Sequence, residues 1–257
     1  MKEVHLFYAP QIEISPLLPA DEASHAIRVL RLRQGDPLLV TNGKGLCFDC
    51  RIASLSGKSC EVEIIKELKV ERTWLSGIHI AIAPTKQMER MEWMTEKATE
   101  LGVDSITFIE SKNSERRAIK TERIEKTAVA AMKQSHKAVK PIISDMIKMN
   151  ELISTPFEGQ KFIAHCYDFD SAEKGTSLHS HISSAKPFLF DLIAPQRDSL
   201  VLIGPEGDFS IDEVKQAEAI GFKSVSLGNN RLRTETAALS AIMMMQIKKA
   251  NIHATSL

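Results

Sequence analysis

The sequence predicts a two-part α/β protein: a small N-terminal β-barrel or meander, followed by a mostly parallel sheet with helices on both faces. Three observations carry this. Short alternating apolar runs joined by turn dipeptides fill the first seventy or so residues. From about Trp74 strands alternate with amphipathic helices, the pattern of a parallel sheet. A chain of 257 residues is also long enough for two unequal domains, here 1–72 and 73–257, with the boundary near Val70 to Thr73.

Ala23–Leu32 reads as a short helix. Asp36–Thr41 is an apolar strand, and Asn42-Gly43 is a favoured hairpin dipeptide because both residues tolerate positive φ. Leu46, Phe48, Cys50 and Ile52 alternate on the next strand. A second turn at Ser56-Gly57-Lys58 leads to Cys60, Val62 and Ile64. Ile78–Ala83 opens the second part. Met88, Met91, Met94, Ala98 and Leu101 then mark one face of a helix that stops at Gly102, its methionines serving as core filler. Strands follow at Val103–Ile109, Lys161–His165, Ser199–Ile203 and Phe222–Leu227, with a basic helix from Thr121 to about His136. Ser171–Ser184 is polar and reads as a loop and weak helix. Ala237–Ile247 is apolar nearly all round and requires burial on several sides, a second subunit being one way to supply it.

Composition narrows the functional classes. Hydrophobic residues make up 43% and charged residues 26%, the balance of an ordinary globular chain. No basic segment leads into a long apolar run at the start, and no stretch reaches the apolar length of a membrane span, so a cytoplasmic protein is expected. Cys47 and Cys50 form a CxxC pair, but no second pair follows and an odd spacing on a strand turns the two side chains to opposite faces, so no metal is expected. His179 and His181 lack a partnering acid and read as surface residues. Net charge is zero, yet residues 112–140 carry nine Lys or Arg against three Glu. That stretch fits a phosphate backbone or a solvated helix face equally well. Arg28, Arg31, Arg33 and Lys44 form a smaller basic group.

Two segments carry chemistry. In Val201-Leu-Ile-Gly-Pro-Glu-Gly-Asp-Phe-Ser-Ile-Asp-Glu213 a buried strand ends at Gly204, a glycine turn follows, and Ser210 with Glu213 forms a capping box. Glycines there permit close approach of backbone to a ligand. The segment is neither a P-loop nor a GxGxxG fingerprint, and a plain strand-to-helix connection could use the same residues. Ser226-Leu-Gly-Asn-Asn-Arg-Leu-Arg-Thr-Glu-Thr-Ala237 likewise runs from strand to helix, with Thr234 the expected N-cap and Glu235 in the first turn. Its arginines suit phosphate or substrate orientation; salt bridges to Glu206 or Glu235 are the structural alternative.

These two segments, together with Lys86, Glu96-Lys-Ala-Thr-Glu-Leu-Gly-Val103 and Gln134-Ser135, resemble the ribosomal-RNA uracil-N3 methyltransferases of the SPOUT superfamily over almost the whole chain. Asp208 stands where that family usually has a glycine, and Lys137 where it has an arginine. The resemblance implies a PUA-like β-barrel for RNA at residues 1–72 and a SPOUT domain with a deep C-terminal trefoil knot at 73–257, dimeric through the knot and last helix. It implies S-adenosylmethionine as cofactor, held by Ile203, Gly204, Pro205, Glu206 and Gly207, by Leu227, Gly228, Leu232, Arg233 and Thr234, and by the Ala164-His165 strand end. N3 of a uridine in small-subunit (16S) ribosomal RNA is the implied target.

Uracil N3 carries a proton, so methylation there needs a base or stabilisation of the anion. Arg233 with Arg231 are the candidates for the anion, and Glu206 and Glu235 the carboxylates from which a base would come. Arg28, Arg31, Arg33, Arg116, Arg117 and Arg123 are the expected phosphate contacts. A knotted methyltransferase for a transfer-RNA ribose or guanine, or a non-catalytic RNA-binding assembly protein, would share part of this pattern.

Overall fold

The computed structural model describes residues 4–167 and 186–251. The Ser171–Ser184 segment, with His179 and His181, lies outside the described residues. Two compact units form, one from residues up to 73 together with 128–140, the other from 74–127 with 141–251.

In the first unit β1 (Leu6–Tyr8), β2 (Pro37–Thr41), β3 (Leu46–Ser56) and β4 (Ser59–Lys69) follow one another in a four-stranded sheet. β1 runs parallel to β2 and the other pairs are antiparallel. Three residues are too few to show a period, which is why β1 escapes a sequence reading. Helix α1 (Ala20–Ser24) continues through a wider π-turn to Val29, closed by the Leu30 N–H on the His25 carbonyl at 3.0 Å. Phe7, Leu38, Val40, Phe48, Cys50, Ile52, Cys60 and Val62 form its main core. Cys47 faces another cluster, with Leu6 and Ala138, so the two CxxC side chains do lie on opposite faces. Burial, aided by Asp49, pushes the Cys50 thiol up to about 12, far from a metal-ready thiolate. Residues 128–140, which the sequence leaves with the second part, lock here: Lys133 pairs with the buried Glu22, and the Thr41 hydroxyl donates to the Ala138 carbonyl at 3.0 Å.

The second unit is a six-stranded parallel sheet of β5 (Ile78–Ile82), β6 (Ser105–Glu110), β7 (Ile142–Lys148), β8 (Gln160–Ala164), β9 (Ser199–Ile203) and β10 (Lys223–Val225), in the order β10-β8-β9-β5-β6-β7. Alternate residues enter two cores. Ile78, Ile80, Ile82, Phe108, Val201 and Ile203 meet α2 (Met88–Leu101) and α7 (Thr234–Lys249); Ala81, Ile109, Ile163, Leu200 and Leu202 meet α4 (Met149–Ser154) and α6 (Ile211–Ala219). Burial on both faces explains the continuous apolar runs. Helix α3 (Thr121–Gln134) sends Ile124 into the first core, and the short α5 (Leu189–Leu192) adds Leu189. As the sequence predicts, α2 ends at Gly102, which takes φ +90°. β7 is an edge strand, half-exposed along its length, and therefore lacks a readable pattern.

Candidate functional site

Strands β10, β8 and β9 are neighbours, and Val225, Ala164 and Ile203 stand side by side at their ends. Adjacent strands lie about 4.8 Å apart, so the loops leaving β9 and β10 are separated by roughly 10 Å, with the β8 exit between them. The two chemistry-bearing segments, distant in sequence, therefore open on one edge of one sheet.

The first loop is built around packing. A Cβ on Gly204 would lie 3.2 Å from the Phe209 ring and amide, closer than ordinary packing, so glycine lets Phe209 fold tightly over the strand end. The Asp208 N–H bonds to the Pro205 carbonyl at 3.0 Å and closes the turn. Asp208 takes φ +61°, a left-handed conformation that glycine favours and aspartate tolerates better than most residues. Its carboxylate accepts from the Phe209 and Cys166 amides, both at 2.7 Å. The departure from the usual glycine thus keeps the backbone shape and adds a tie to the β8 exit. Helix α6 starts on the expected capping box, with the Ser210 amide donating to Glu213 at 2.7 Å.

The second loop hangs from Ser226, whose amide and carbonyl bond to Pro187 and Leu189 at 2.9 Å. Gly228 takes φ +120° and has open space where a side chain would project. Leu227 and Ala164 are half-buried against the same core, whereas Asn229, Asn230, Arg231 and Arg233 are exposed.

At the β8 exit His165 is buried. Desolvation, then the Lys186 charge, bring its imidazole down to about 4, so it is neutral at pH 7. The ring accepts the Tyr167 amide at Nδ1 (3.2 Å), which leaves Nε2–H to donate to Ser224 Oγ at 2.8 Å; Ser224 in turn donates to Glu218 at 2.6 Å. Lys186 donates to the carbonyls of His165 and Tyr167. Cys166 is exposed as a residue, yet desolvation of its thiol and then the Asp208 charge raise its pKa, opposed by Lys186 and Arg231. Asp208 of the first loop is thus tied directly to Cys166 after β8.

Other placements refine the sequence reading. Arg233, and not Thr234, is the N-cap of α7; Thr234 is buried in the first turn. An arginine offers no acceptor for the first helical amides, and its extended backbone alone serves as the cap. Glu235 is buried beside Arg90 of α2 at 3.6 Å, and its Oε2 has no hydrogen-bond partner among the described residues. Glu206 is exposed and accepts from the Lys86 amide at 3.3 Å. Arg28, Arg31 and Arg33 are exposed in the first unit. Arg116 donates to the Thr85 carbonyl at 3.1 Å and to the Lys86 carbonyl; Arg117 faces Glu110 at 3.7 Å, and Arg123 faces Glu92 at 2.6 Å. Lys186, Arg90 and Asn113 went unnoticed in the sequence because each lies outside a motif and acts through chain-distant partners.

The arrangement leaves backbone groups and open space for a polar ligand. Three strand ends present backbone groups, Gly228 leaves space above its Cα, and Gly207 and Glu206 stand exposed at the opposite loop. Among the described residues no three His, Cys, Asp or Glu side chains are grouped to hold a metal ion. No described helix is long and apolar enough to cross a membrane.

Comparison with known proteins bears on this edge of the sheet. The RNA methyltransferase domain family matches residues 73–246, and the RNA methyltransferase PUA domain family matches residues 18–65. The ribosomal RNA small subunit methyltransferase E of Rickettsia conorii is 28% identical over 233 residues, 90% of this chain and 88% of that one. A probable rRNA-methyltransferase from Porphyromonas gingivalis has a similar structure, with a TM-score of 0.85 and 45% identity, covering 96% of this chain and 98% of the other. The ribosomal RNA small subunit methyltransferase E from Neisseria gonorrhoeae, solved bound to S-adenosyl methionine, has a TM-score of 0.82 at 27% identity, covering 97% and 100%.

Proposed function

This chain belongs to the RNA methyltransferase family, and from that premise we propose that it transfers a methyl group from S-adenosylmethionine to N3 of a uridine in small-subunit (16S) ribosomal RNA. The observation that carries the reading is that the two glycine loops leave neighbouring strand ends on either side of the β8 exit, where Asp208 of the first loop bonds to the Cys166 amide. The name of the Rickettsia relative supports the ribosomal target, and the bound ligand of the Neisseria structure supports the cofactor.

The cofactor supplies an electrophilic methyl group, and the protein's share is positioning and charge. Ile203, Gly204, Pro205, Glu206 and Gly207 form one wall, Leu227, Gly228, Leu232, Arg233 and Thr234 the other, with Ala164 and His165 between. The exposed Arg231 and Arg233 face the uracil and stabilise the anion left when N3 loses its proton. Glu206, exposed beside the first loop, and Glu235, buried beside Arg90, are the carboxylates from which the base comes. The base must be unpaired and turned out to present its Watson–Crick edge.

Phosphates of the RNA are held by Arg28, Arg31 and Arg33 and by the basic segment with Arg116, Arg117 and Arg123, although the last three also serve the intramolecular contacts described above. The chain acts in the cytoplasm as a homodimer. Its C-terminal segment closes a trefoil knot around the two loops. Titration calorimetry should give saturable S-adenosylmethionine binding, and nucleoside analysis of 16S RNA from treated small subunits should give 3-methyluridine. A methylated ribose or guanine in its place, or no binding of the cofactor, would refute this assignment.

A further inference from the structure

The segment 111–117, between β6 and α3, clasps the first loop at several points. The Asn113 side-chain amide donates to the carbonyls of Gly207 at 3.3 Å and Asp208 at 3.0 Å, across 94 and 95 residues of chain. The Lys112 backbone N–H donates to Glu213 Oε1 at 2.7 Å, tying the same segment to the capping box of α6. Arg116 holds the Thr85 and Lys86 carbonyls, and the Lys86 amide in turn reaches Glu206 at 3.3 Å. Lys86 Nζ stands 3.4 Å from Glu115, closing the ring of contacts.

Asn113 is placed for this by sterics as well as polarity. A Cβ on Gly207 would approach Asn113 Cβ to 3.3 Å, tighter than ordinary packing. The absence of a side chain at 207 therefore lets Asn113 lie over the turn, and its amide satisfies two adjacent carbonyls that point the same way. A carbonyl pair facing one NH2 group is a direct constraint on the peptide planes at 207 and 208. Those planes fix the left-handed Asp208, whose carboxylate bonds to the Cys166 amide at the β8 exit. A hydrogen-bonded path thus runs from Asn113 through the turn to the centre of the site. Asn113 itself is exposed and sits in a loop, so its role is separable from folding.

We propose that Asn113 is a positioning residue for the cofactor wall, donating to the Gly207 and Asp208 carbonyls so that residues 204–208 stand in their ligand-ready shape. The inference rests on the reading of that wall as the S-adenosylmethionine site. Donation is the essential property: an aspartate at 113 has the same shape and no donor, and turns a negative oxygen toward both carbonyls.

Calorimetry with S-adenosylmethionine on the full chain, for the native protein, Asn113→Ala and Asn113→Asp, separates the possibilities. Loss of two neutral hydrogen bonds from a preorganised wall should weaken cofactor binding about tenfold in Asn113→Ala and at least as much in Asn113→Asp. In turnover, KM for the cofactor should rise while KM for the RNA stays within twofold, and the melting temperature should fall by no more than a few degrees. Cofactor affinity within twofold of native in either variant overturns the proposal; native-like binding by Asn113→Asp with loss in Asn113→Ala would assign Asn113 to space-filling. Failure of the native protein to bind the cofactor removes the reading beneath it instead.

Discussion

His165 shows how one buried side chain makes stability depend on pH. Its imidazole titrates near 4 in the folded protein, owing to burial and the Lys186 charge, against about 6.5 in an unfolded chain. Between those values the unfolded chain binds the extra proton, so the contribution of His165 is full above about pH 6.5 and falls as pH drops toward 4. The displacement corresponds to at most about 3 kcal/mol. Urea denaturation at pH 7.5 and 4.5 should show that loss, and His165→Gln should remove most of it. An unchanged pH slope in the variant would show that another group carries the effect. Asp208 makes a complementary point: its identity was visible as a departure from the family pattern, but its reason, a left-handed backbone tied to Cys166, was not.

Among the elements, α6 is the one whose start the sequence spelled out. Ser210 and Glu213 stand three apart ahead of an apolar pattern, and the structure forms both reciprocal bonds. Ser210→Ala should cost about 1 kcal/mol of stability, read as a lowered midpoint in a urea melt. Because Glu213 also receives the Lys112 amide, the structure gives this cap a second duty that spacing alone did not reveal. α7 gives the opposite lesson. Thr234 has the chemistry of a cap, yet the helix begins one residue earlier than that reading requires, because Thr234 is already buried in the first turn. Local propensity ranks candidates; burial chooses among them. β1 and β7 stayed unread for a related reason, one being too short and the other too exposed to show alternation.

For the molecule as a whole, the proposed dimer turns on the face shared by α2 and α7. These helices run side by side in the same direction, with Arg90 against Glu235 near one end and Gln246 donating to the Gly102 carbonyl at the other. Trp93, Met243 and Ile247 are 48%, 43% and 59% exposed on them, large apolar side chains that water solvates poorly. Sedimentation equilibrium should find the native chain dimeric at micromolar concentration and Ile247→Glu shifted toward monomer. A monomeric native chain would remove the dimer from the proposed function.

By itself the sequence determined most of the strands and helices, β1, β7, α4 and α5 excepted, that the inner strands of the second unit are buried on both faces, and where the two glycine loops leave them. Those properties depend on neighbours within a few residues, through periodicity and turn chemistry. The tertiary structure alone decided that β8 lies between β9 and β10, that residues 128–140 pack with the first unit, and that Asn113 meets Gly207. Each of these joins residues tens of positions apart, and such pairings are selected by which arrangement buries both sheet faces and satisfies the backbone, a condition on the whole chain that no local window contains.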